Sequence, residues 1–203
     1  MILIGYSGHA FVIYGIFKAS GIAVTGYCDV SEKALNPFHL PYLGSEESEP
    51  AQQAMALDGC FIAIGDNSVR SNIYDRLSLR NIRIRNAIHP AAVVDPSAKI
   101  AGQAVMIAAG VIINPLAEIG IGVICNTGCI VEHENSIGNF THIGPGAVLC
   151  GNVKVGERSF IGANAVVRQG ITIGKEVTIG AGTVVVKDLP DHAIVFGNPG
   201  KIQ

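Results

Sequence analysis

The feature that most constrains this chain is an aliphatic residue that returns every six positions through its second half. From position 119 onward in steps of six, eleven of twelve residues are aliphatic and the other is a cysteine: Ile119, Cys125, Val131, Ile137, Ile143, Leu149, Val155, Ile161, Val167, Ile173, Ile179 and Val185. A helix repeats about every 3.6 residues and a strand about every two, so neither alone explains this period. The repeat predicts stacked coils of short strands joined by turns.

The repeat also predicts the size and interior of each coil. Three hexads form a triangular coil of about eighteen residues, stacked at the roughly 4.8 Å spacing of paired strands. We expect the aliphatic side chains to point inward and glycine to relieve the corners, because glycine follows the aliphatic residue at seven places: Gly120, Gly138, Gly144, Gly156, Gly162, Gly174 and Gly180. The same step fits Ile88 to Ile112 one residue out of phase, which predicts an insertion near Asn114–Glu118. A narrow interior suits a chain with 25 glycines and no tryptophan.

The first part of the chain has a different composition, since nine of its twelve aromatic residues precede Ile88. Apolar runs bounded by turn residues predict a small parallel α/β sheet. The predicted strands are Met1–Ile4, Ala23–Cys28, Cys60–Ile64 and Asn81–Ile88, and the predicted helices are His9–Ala19 and Ser68–Leu79, with a loop and a further helix in Ser31–Gln53. We therefore predict two domains, at 1–87 and 88–203.

The composition excludes several classes of protein. With 49% apolar and 15% charged residues the chain is not expected to be disordered. A net charge of −2 provides no basic field for nucleic acid or a membrane surface, and no long apolar run predicts a membrane span. The first ten residues lack a signal peptide's basic region, so we expect a cytoplasmic protein whose five cysteines are reduced.

Four segments, together with the repeat, carry a resemblance to a known family: Ile4–His9, Ile62–Asn67, Glu132–Gly138 and Gly197–Lys201. The whole chain resembles the hexapeptide-repeat acyltransferases, in the bacterial nucleotide-amino-sugar N-acetyltransferase branch that also contains sialic acid O-acetyltransferase-like proteins. The resemblance implies a Rossmann-like parallel sheet domain followed by a left-handed parallel β-helix. It also implies a homotrimer, with acetyl-CoA bound between neighbouring β-helices and no metal.

The acid–His–acid cluster at Glu132-His133-Glu134 is the predicted catalytic site. Histidine is the usual general base near neutral pH, and we expect His133 to take a proton from the C4 amine of a nucleotide-linked 4-amino-4,6-dideoxy sugar. The resemblance assigns Glu134 to orient it, with Glu132 as the alternative. A backbone N–H, predicted at Gly151, would stabilise the oxyanion.

Other candidate residues are predicted to bind the two substrates. By resemblance, His142 lies near the acetyl group and Asn126 near the sugar, although a corner role for either is equally open. Backbone N–H groups at a helix start after a strand suit a phosphate, although a simple tight turn would have the same sequence. The predicted sugar-nucleotide residues in the first domain are Gly5, Ser7, Gly8, His9, Asp29, Gly65, Asp66 and Asn67, and Arg70 either reaches phosphate or pairs with Asp66.

Several alternatives stay open at this stage. Within the enzyme class, the rival is O-acetylation of a sialic acid or similar sugar, and the nucleotide itself is not specified. A zinc hydratase would need three converging histidines, of which the repeat offers His133, His142 and His192. Covalent catalysis by Cys150 lacks an adjacent histidine in the sequence. A non-enzymatic β-helix that senses a sugar or acts as a scaffold is the remaining possibility.

Overall fold

The computed structural model describes every residue from Met1 to Gln203. Its first part is a three-stranded parallel sheet in the order β2-β1-β3, accompanied by three helices. The strands are β1 (Ile2–Ile4), β2 (Gly26–Cys28) and β3 (Cys60–Ile62), and the helices are α1 (Gly8–Ala19), α2 (Glu49–Asp58) and α3 (Asn67–Leu79). The predicted parallel α/β sheet is confirmed, and the further helix expected within Ser31–Gln53 is α2, which begins near the end of that range and continues to Asp58.

Two of the three helices, α2 and α3, begin with a side-chain cap, and α1 does not. The Asp66 carboxylate accepts a hydrogen bond from the Val69 N–H at 2.8 Å, and the Ser48 hydroxyl caps α2 in the same manner. Ser7 precedes α1 but makes no such bond with its side chain. Because the first N–H groups of a helix lack intrahelical partners, α1 keeps an open N-terminus that can receive an external acceptor.

The predicted last strand of the sheet, Asn81–Ile88, is wrong over most of its length. Only an isolated bridge between Ile84 and Cys60 joins this segment to the sheet. Residues Ala87–Ile88 form a strand that pairs with Met106–Ile107 in the second part of the chain. The apolar run therefore ends one domain and begins the next, a distinction that apolar content does not encode.

The second part is a parallel β-helix with three faces. The docked face, against which the first part packs, consists of Ala87–Ile88, Met106–Ile107, Ile124–Cys125, His142–Ile143, Phe160–Ile161, Thr178–Ile179 and Ile194–Phe196, extended by the antiparallel strand Lys201–Ile202. The apolar face consists of Val93–Val94, Ile112–Ile113, Ile130–Val131, Val148–Leu149, Val166–Val167 and Val184–Val185. The polar face consists of Lys99–Ile100, Glu118–Ile119, Ser136–Ile137, Lys154–Val155 and Thr172–Ile173.

The inward-pointing repeat is confirmed. All twelve repeat residues from Ile119 to Val185 are buried, with at most 4% of their surface exposed. Strand partners lie one coil apart, as Ile119 pairs with Ile137 and Ile137 with Val155. This interior continues into the first part, because Leu3 and Phe17 belong to the same buried cluster as Met106. Both parts therefore share the larger core, and a second buried cluster that includes Ile2 and Ile62 lies mostly within the first part.

The insertion lies in the first coil rather than near Asn114–Glu118, where the sequence had placed it. Ile88 pairs with Ile107 and Ile100 with Ile119, nineteen positions apart, whereas later partners are eighteen apart. The extra residue falls in the corner at 101–105, between two strands. The Asn86 side chain stabilises this corner by donating to the Ala101 carbonyl and accepting from the Val105 N–H.

Two kinds of glycine shape the corners. Gly122, Gly128 and Gly146 have φ near +65°, a conformation that favours glycine. The glycines directly after the aliphatic residue are required for a different reason. A Cβ on Gly156 would lie 2.4 Å from the Lys175 nitrogen of the next coil, so close stacking, not backbone conformation, demands glycine there.

None of the three helices has both the length and the apolar character needed to cross a membrane.

Candidate active site

A pocket of about 420 Å³ opens at the carboxyl edge of the three-stranded sheet. It is bounded by Gly5, Tyr6 and Ser7 after β1, by Asp29 after β2, and by Gly65 after β3. Because the chain runs from β1 to β2 on one side and returns to β3 on the other, the pocket lies at the point where the strand order reverses. Ligands bind at this point in open α/β sheets.

The loop after β1 brings backbone close to this pocket. Gly5 has φ +86°, and a Cβ there would lie 2.7 Å from Ile64, so only glycine allows the two loops to approach. The loop leads into the open N-terminus of α1, where Ser7 and Gly8 are exposed. The helix dipole and the free N–H groups favour an anionic group at this position.

Asp29 has a structural role in the same pocket. Its carboxylate accepts hydrogen bonds from the backbone N–H groups of Tyr6 and Val30, at 2.9 and 2.7 Å, and pairs with Lys33 at 2.9 Å. It thereby connects the loop after β2 to the loop after β1. Glu46 and Arg76 form a second ion pair on the pocket wall, which the sequence did not single out.

Asp66 and Asn67 do not line the pocket, contrary to their predicted contact with substrate. Asp66 caps α3, and the Asn67 amide donates to the Arg158 and Ser159 carbonyls of the β-helix, each at 3.0 Å. Arg70 is fully buried and donates to backbone carbonyls of both domains, so it neither reaches the pocket nor forms an ion pair with Asp66. The physical reason is that α3 turns its first polar side chains toward the β-helix.

Four predicted residues from both domains meet at the docked face: His9, Gly65, Asn126 and His142. His142 approaches the Gly65 carbonyl through Nδ1 at 3.4 Å and Asn126 through Nε2 at 3.2 Å, and its ring lies 6.2 Å from that of His9. The Asn126 amide donates to Nε2, which assigns the proton of a neutral His142 to Nδ1. The sequence had suggested separate sugar and acetyl contacts, whereas these side chains form one cluster.

The two histidines of this cluster are held neutral. Burial, followed by the charge of Arg70, lowers the pKa of His9 to about 4. Burial also lowers the pKa of His142 to about 4, with smaller contributions from Arg70 and His9. The Nε2 atom of His9 is buried and has no hydrogen-bond partner within the chain. A buried polar atom without a partner is costly, so this nitrogen is suited to a hydrogen bond with a ligand.

His133 lies at a different corner, between the apolar and polar faces. Its Nδ1 is 3.0 Å from the Glu134 carboxylate, and both side chains are more than half exposed. Glu132 instead accepts from the Asn114 amide at 2.9 Å, so Glu134 is the carboxylate that contacts the imidazole. Glu134 has φ +61°, the left-handed corner conformation, which turns its side chain back along the coil toward His133.

The imidazole of His133 lies against Gly151 of the next coil. A Cβ on Gly151 would be 2.5 Å from both Cε1 and Nε2 of the ring, so the absence of a side chain is what admits the histidine. The Gly151 N–H makes no backbone hydrogen bond within the chain. A shallow pocket of about 360 Å³ opens here, lined by His133, Gly151, Asn152, Gln169 and Gly170.

Asn135 is a residue of this site that the sequence analysis missed. Its fully buried amide donates to the Leu149 carbonyl at 3.2 Å and accepts from the Val153 N–H, bracketing the turn that contains Gly151. It thereby holds that turn against the coil that carries His133. A polar residue at a repeat position otherwise occupied by small or β-branched residues, such as Ala147 and Val153, was the available signal.

The loss of glycine at this corner is not confined to His133. The residue after the inward aliphatic is Asn114, Glu132, Cys150 and Arg168 in successive coils, so this one corner position lacks glycine in all four. The loss of glycine is therefore a property of this corner position in several coils. The contacts of His133 with Glu134 and Gly151 are what distinguish its own coil.

Comparisons with known proteins agree with this geometry. Residues 1–77 match the family described as the PglD N-terminal domain, and residues 152–187 match the hexapeptide repeat of succinyl-transferase. One solved structure is a variant of GDP-perosamine N-acetyl transferase from Caulobacter crescentus, with one histidine changed to alanine, in complex with CoA and GDP-perosamine. Its sequence is 38% identical to that of this chain. The match covers 100% of this chain and 95% of that one, with a TM-score of 0.91.

The chain belongs to the hexapeptide-repeat acyltransferases. The acetyltransferase domain of PglB from Neisseria gonorrhoeae, in complex with acetyl coenzyme A, is 33% identical with a TM-score of 0.89, and the match covers 100% of this acyltransferase and 98% of that domain. The match to GDP-perosamine N-acetyl transferase confirms the sugar N-acetyltransferase branch, and both matches confirm the left-handed β-helix that the resemblance implied. WeeI from Acinetobacter baumannii AYE, 21% identical with a TM-score of 0.85, agrees in fold and covers 100% of this chain and 98% of its own.

No group of three or more His, Cys, Asp or Glu side chains has the arrangement of a metal site in this acyltransferase. In particular, His133 lies at a corner, His142 lies in a strand of the docked face, and His192 pairs with Glu176 at another corner. The three histidines that a zinc hydratase would need therefore do not converge.

Proposed function

We propose that this acyltransferase transfers the acetyl group of acetyl-CoA to the C4 amine of a nucleotide-linked 4-amino-4,6-dideoxy sugar. The observation that carries the proposal is the His133–Glu134 pair facing Gly151, because it combines a base, its orienting carboxylate and a free N–H donor. In this proposal residues 1–87 bind the nucleotide sugar and residues 88–203 carry the transfer. Similarity to a GDP-perosamine enzyme makes a GDP-linked sugar the first candidate.

The proposed reaction is direct transfer between the two substrates. The sugar amine attacks the thioester carbon while Nε2 of His133 accepts the amine proton. Glu134, bonded to Nδ1, holds the tautomer whose Nε2 is free and stabilises the imidazolium that forms. The Gly151 N–H stabilises the oxyanion, and the carbon–sulfur bond then breaks. The CoA thiolate leaves and takes the proton from the His133 imidazolium, which returns the base to its neutral form.

We further propose that the site is completed by a second copy in a homotrimer. The pocket at the sheet edge and the pocket at His133 share no residue, so one chain holds the two substrate sites apart. The outward residues of the apolar face, which lies beside the His133 corner, are all aliphatic: Val93, Ile112, Ile130, Val148, Val166 and Val184. The equivalent residues of the polar face are Lys99, Glu118, Ser136, Lys154 and Thr172.

An aliphatic face of six strands supports contact with another copy, since large exposed apolar patches mark interaction surfaces. We also propose that the enzyme works in the cytoplasm. All five cysteines are free thiols, in agreement with a reducing compartment.

The function is tested by release of free CoA from acetyl-CoA. The acceptors are GDP- and UDP-linked 4-amino-4,6-dideoxy sugars, with free sialic acid as the hydroxyl acceptor. We expect turnover on an amino sugar, and a His133→Ala variant that loses about 100-fold or more in kcat, the range of general-base catalysis.

His192→Ala is the matched control. His192 is also an exposed corner histidine whose Nδ1 lies 3.0 Å from a glutamate, Glu176, but it has no role in the proposed reaction. It should retain wild-type kcat. Turnover only on sialic acid would identify the enzyme as an O-acetyltransferase. No turnover on any acceptor, or less than about tenfold loss in His133→Ala, would refute the proposal.

A further inference from the structure

The side chain of Arg70 is the largest fully buried one of the protein, and its guanidinium joins the two domains. Nε donates to the Gly122 carbonyl at 2.9 Å, and Nη2 donates to the Phe140 carbonyl at 2.9 Å and to Asn67 at 2.8 Å. Nη1 donates to the Ile64 and Gly65 carbonyls, at 3.1 and 3.0 Å. An arginine has five N–H donors, so every one has an acceptor.

The acceptors form an ordered ladder along the β-helix. Gly122 and Phe140 are equivalent corner residues of successive coils, and both have positive φ. Asn67, which also accepts from Arg70, donates to the carbonyl of Arg158, the equivalent residue one coil further on. The first turn of α3 therefore binds three stacked coils through two side chains. This arrangement fixes the height of the first domain along the β-helix.

The same guanidinium also holds Gly65, which contacts the cluster of His9, Asn126 and His142. The Gly65 carbonyl accepts from Arg70 and is also the atom that His142 approaches through Nδ1. Gly65 lines the pocket at the sheet edge as well. Arg70 and His142 therefore contact the same atom, the Gly65 carbonyl oxygen, and Gly65 is also part of the wall of the sheet-edge pocket.

The charge of Arg70 acts on the cluster too. It has no carboxylate within ion-pair distance, and burial lowers its pKa to about 10, so it remains a cation at neutral pH. Arg70 from α3 and His9 from α1 are the groups that lower the pKa of His142 in addition to burial, and Arg70 acts in the same way on His9. The neighbouring Asp66 only partly offsets the effect of burial on Arg70.

We propose that Arg70, assisted by Asn67, is a positioning residue that fixes the Gly65 carbonyl and the hydrogen-bonded His142–Asn126 pair relative to the nucleotide pocket. This role rests on the proposed function for its effect on turnover, but not for its effect on the histidines. A cation without an ion partner adds a second effect, because it disfavours a second positive charge on the neighbouring rings.

Three variants separate geometry from charge. Arg70→Gln removes both, and Arg70→Lys keeps the charge but loses the planar fork of donors. Asn67→Ala leaves the guanidinium in place but removes the contact with the third coil and one of the five acceptors of Arg70. For each, kcat/KM is measured with the nucleotide sugar, and the titration of His9 and His142 is followed by NMR. Heat denaturation checks that each variant is folded.

We expect kcat/KM to fall about tenfold or more in Arg70→Gln and less in the other two. The titration midpoints of the two histidines should rise by at least about half a pH unit in Arg70→Gln and stay unchanged in Arg70→Lys and Asn67→Ala. Arg80→Gln is the control, because Arg80 also lies at α3 but pairs with Glu47 at the exposed surface. It should change neither readout.

A folded Arg70→Gln with wild-type midpoints and wild-type kcat/KM would overturn the proposal. If Arg70→Gln does not fold, Arg70→Lys and Asn67→Ala decide: wild-type kcat/KM in both, despite lowered heat stability, identifies a purely structural contact. If the wild-type enzyme acetylates no amino sugar, the proposed function fails, while the histidine titrations still test the role of Arg70.

Discussion

At the scale of single residues, the protein holds histidines in two opposite environments. His133 is exposed and bonded to a carboxylate, so it can gain a proton during turnover. His142 is 9% exposed, lies beside a cation, and remains neutral. An imidazole that accepts a proton and one that keeps a fixed hydrogen-bonding pattern need these different surroundings. The two residues are nine positions apart in the sequence, so the fold, rather than local composition, distinguishes them.

The contact between His133 and Gly151 leads to a prediction at this scale. In Gly151→Ala, the new Cβ would lie 2.5 Å from Nε2, so the imidazole must move away from its position. We expect kcat to fall about tenfold or more with the fold intact, since small displacements of a catalytic group are costly. Kinetics and circular dichroism measure the two effects.

Gly102→Ala provides the control for this prediction, because a Cβ there meets no atom within 4 Å. It should retain wild-type kcat. An unchanged kcat in Gly151→Ala would show that the observed ring position is not needed for turnover.

At the scale of elements, the contact between α1 and the docked face brings two buried neutral histidines together. His9 from α1 and His142 from its strand are 6.2 Å apart, and a hydrogen-bonded Gly65 carbonyl closes the cluster. Such a cluster specifies how the helix sits on the β-helix. The cluster also makes the contact sensitive to pH. The buried rings resist protonation in the folded chain and take up protons more readily when the chain unfolds.

The sign of this sensitivity follows from the lowered pKa of each histidine. Their folded pKa values of about 4 lie below the ordinary 6.5, so the unfolded chain takes up protons first as the pH falls. The stabilisation is complete above pH 6.5 and is lost between about pH 6.5 and 4. Each histidine contributes up to about 1.4 kcal/mol per pH unit in that range.

Urea unfolding at a fixed protein concentration measures this dependence. We expect the free energy of unfolding to be lower at pH 5 than at pH 7 by about 4 kcal/mol, because each of the two histidines loses about 1.4 kcal/mol per pH unit below pH 6.5. In His142→Asn the difference between the two pH values should shrink. Equal stability at both pH values would show that the histidines are not held neutral.

At the scale of the whole molecule, the three faces of the β-helix differ in their side chains and in how far they are exposed. The first domain covers the docked face, where Met106 and Ile124 are buried. The polar face carries charged and hydroxyl side chains toward water, whereas the apolar face exposes 64% of Val93 and 36% of Ile112. The apolar face, which the His133 corner borders, is the face that we propose to contact a further copy of the chain.

Val148→Glu should separate the copies, because Val148 lies in the middle of the apolar face and a carboxylate there cannot be buried without a partner. We expect light scattering to report a trimeric mass for the wild type and a monomeric mass for the variant, with turnover lost. Thr172→Glu on the polar face should leave mass and turnover unchanged. A monomeric wild type that turns over normally would contradict the shared site.

Mixing two inactive variants tests the shared site directly. His133→Ala lacks the base, and Ser7→Trp blocks the exposed helix start at the nucleotide pocket. If each site uses residues from two chains, mixed trimers contain some intact sites, and turnover should exceed that of either variant alone. Turnover no higher than the sum of the separate variants would place the whole site in one chain.

The sequence by itself determined what depends on local period and local composition. The six-residue repeat was sufficient for the inward residues and the eighteen-residue coil, since each hexad repeats the same local geometry. The resemblance also brought out the cluster at His133, and alternating apolar runs were sufficient for β1, β2 and β3. Element ends were displaced by one to three residues, because hydrogen bonding to neighbouring strands, rather than apolar content, ends a strand.

Only the tertiary structure decided which residues meet across coils and across domains. The insertion at 101–105 and the buried amide of Asn135 involve partners in a neighbouring coil, and two of the five hydrogen bonds of Arg70 reach the other domain. A periodic sequence is nearly unchanged when its register shifts by a coil, so it does not specify such partners. The physical reason is that a repeat encodes the coil many times over, whereas each contact that orients the site occurs once.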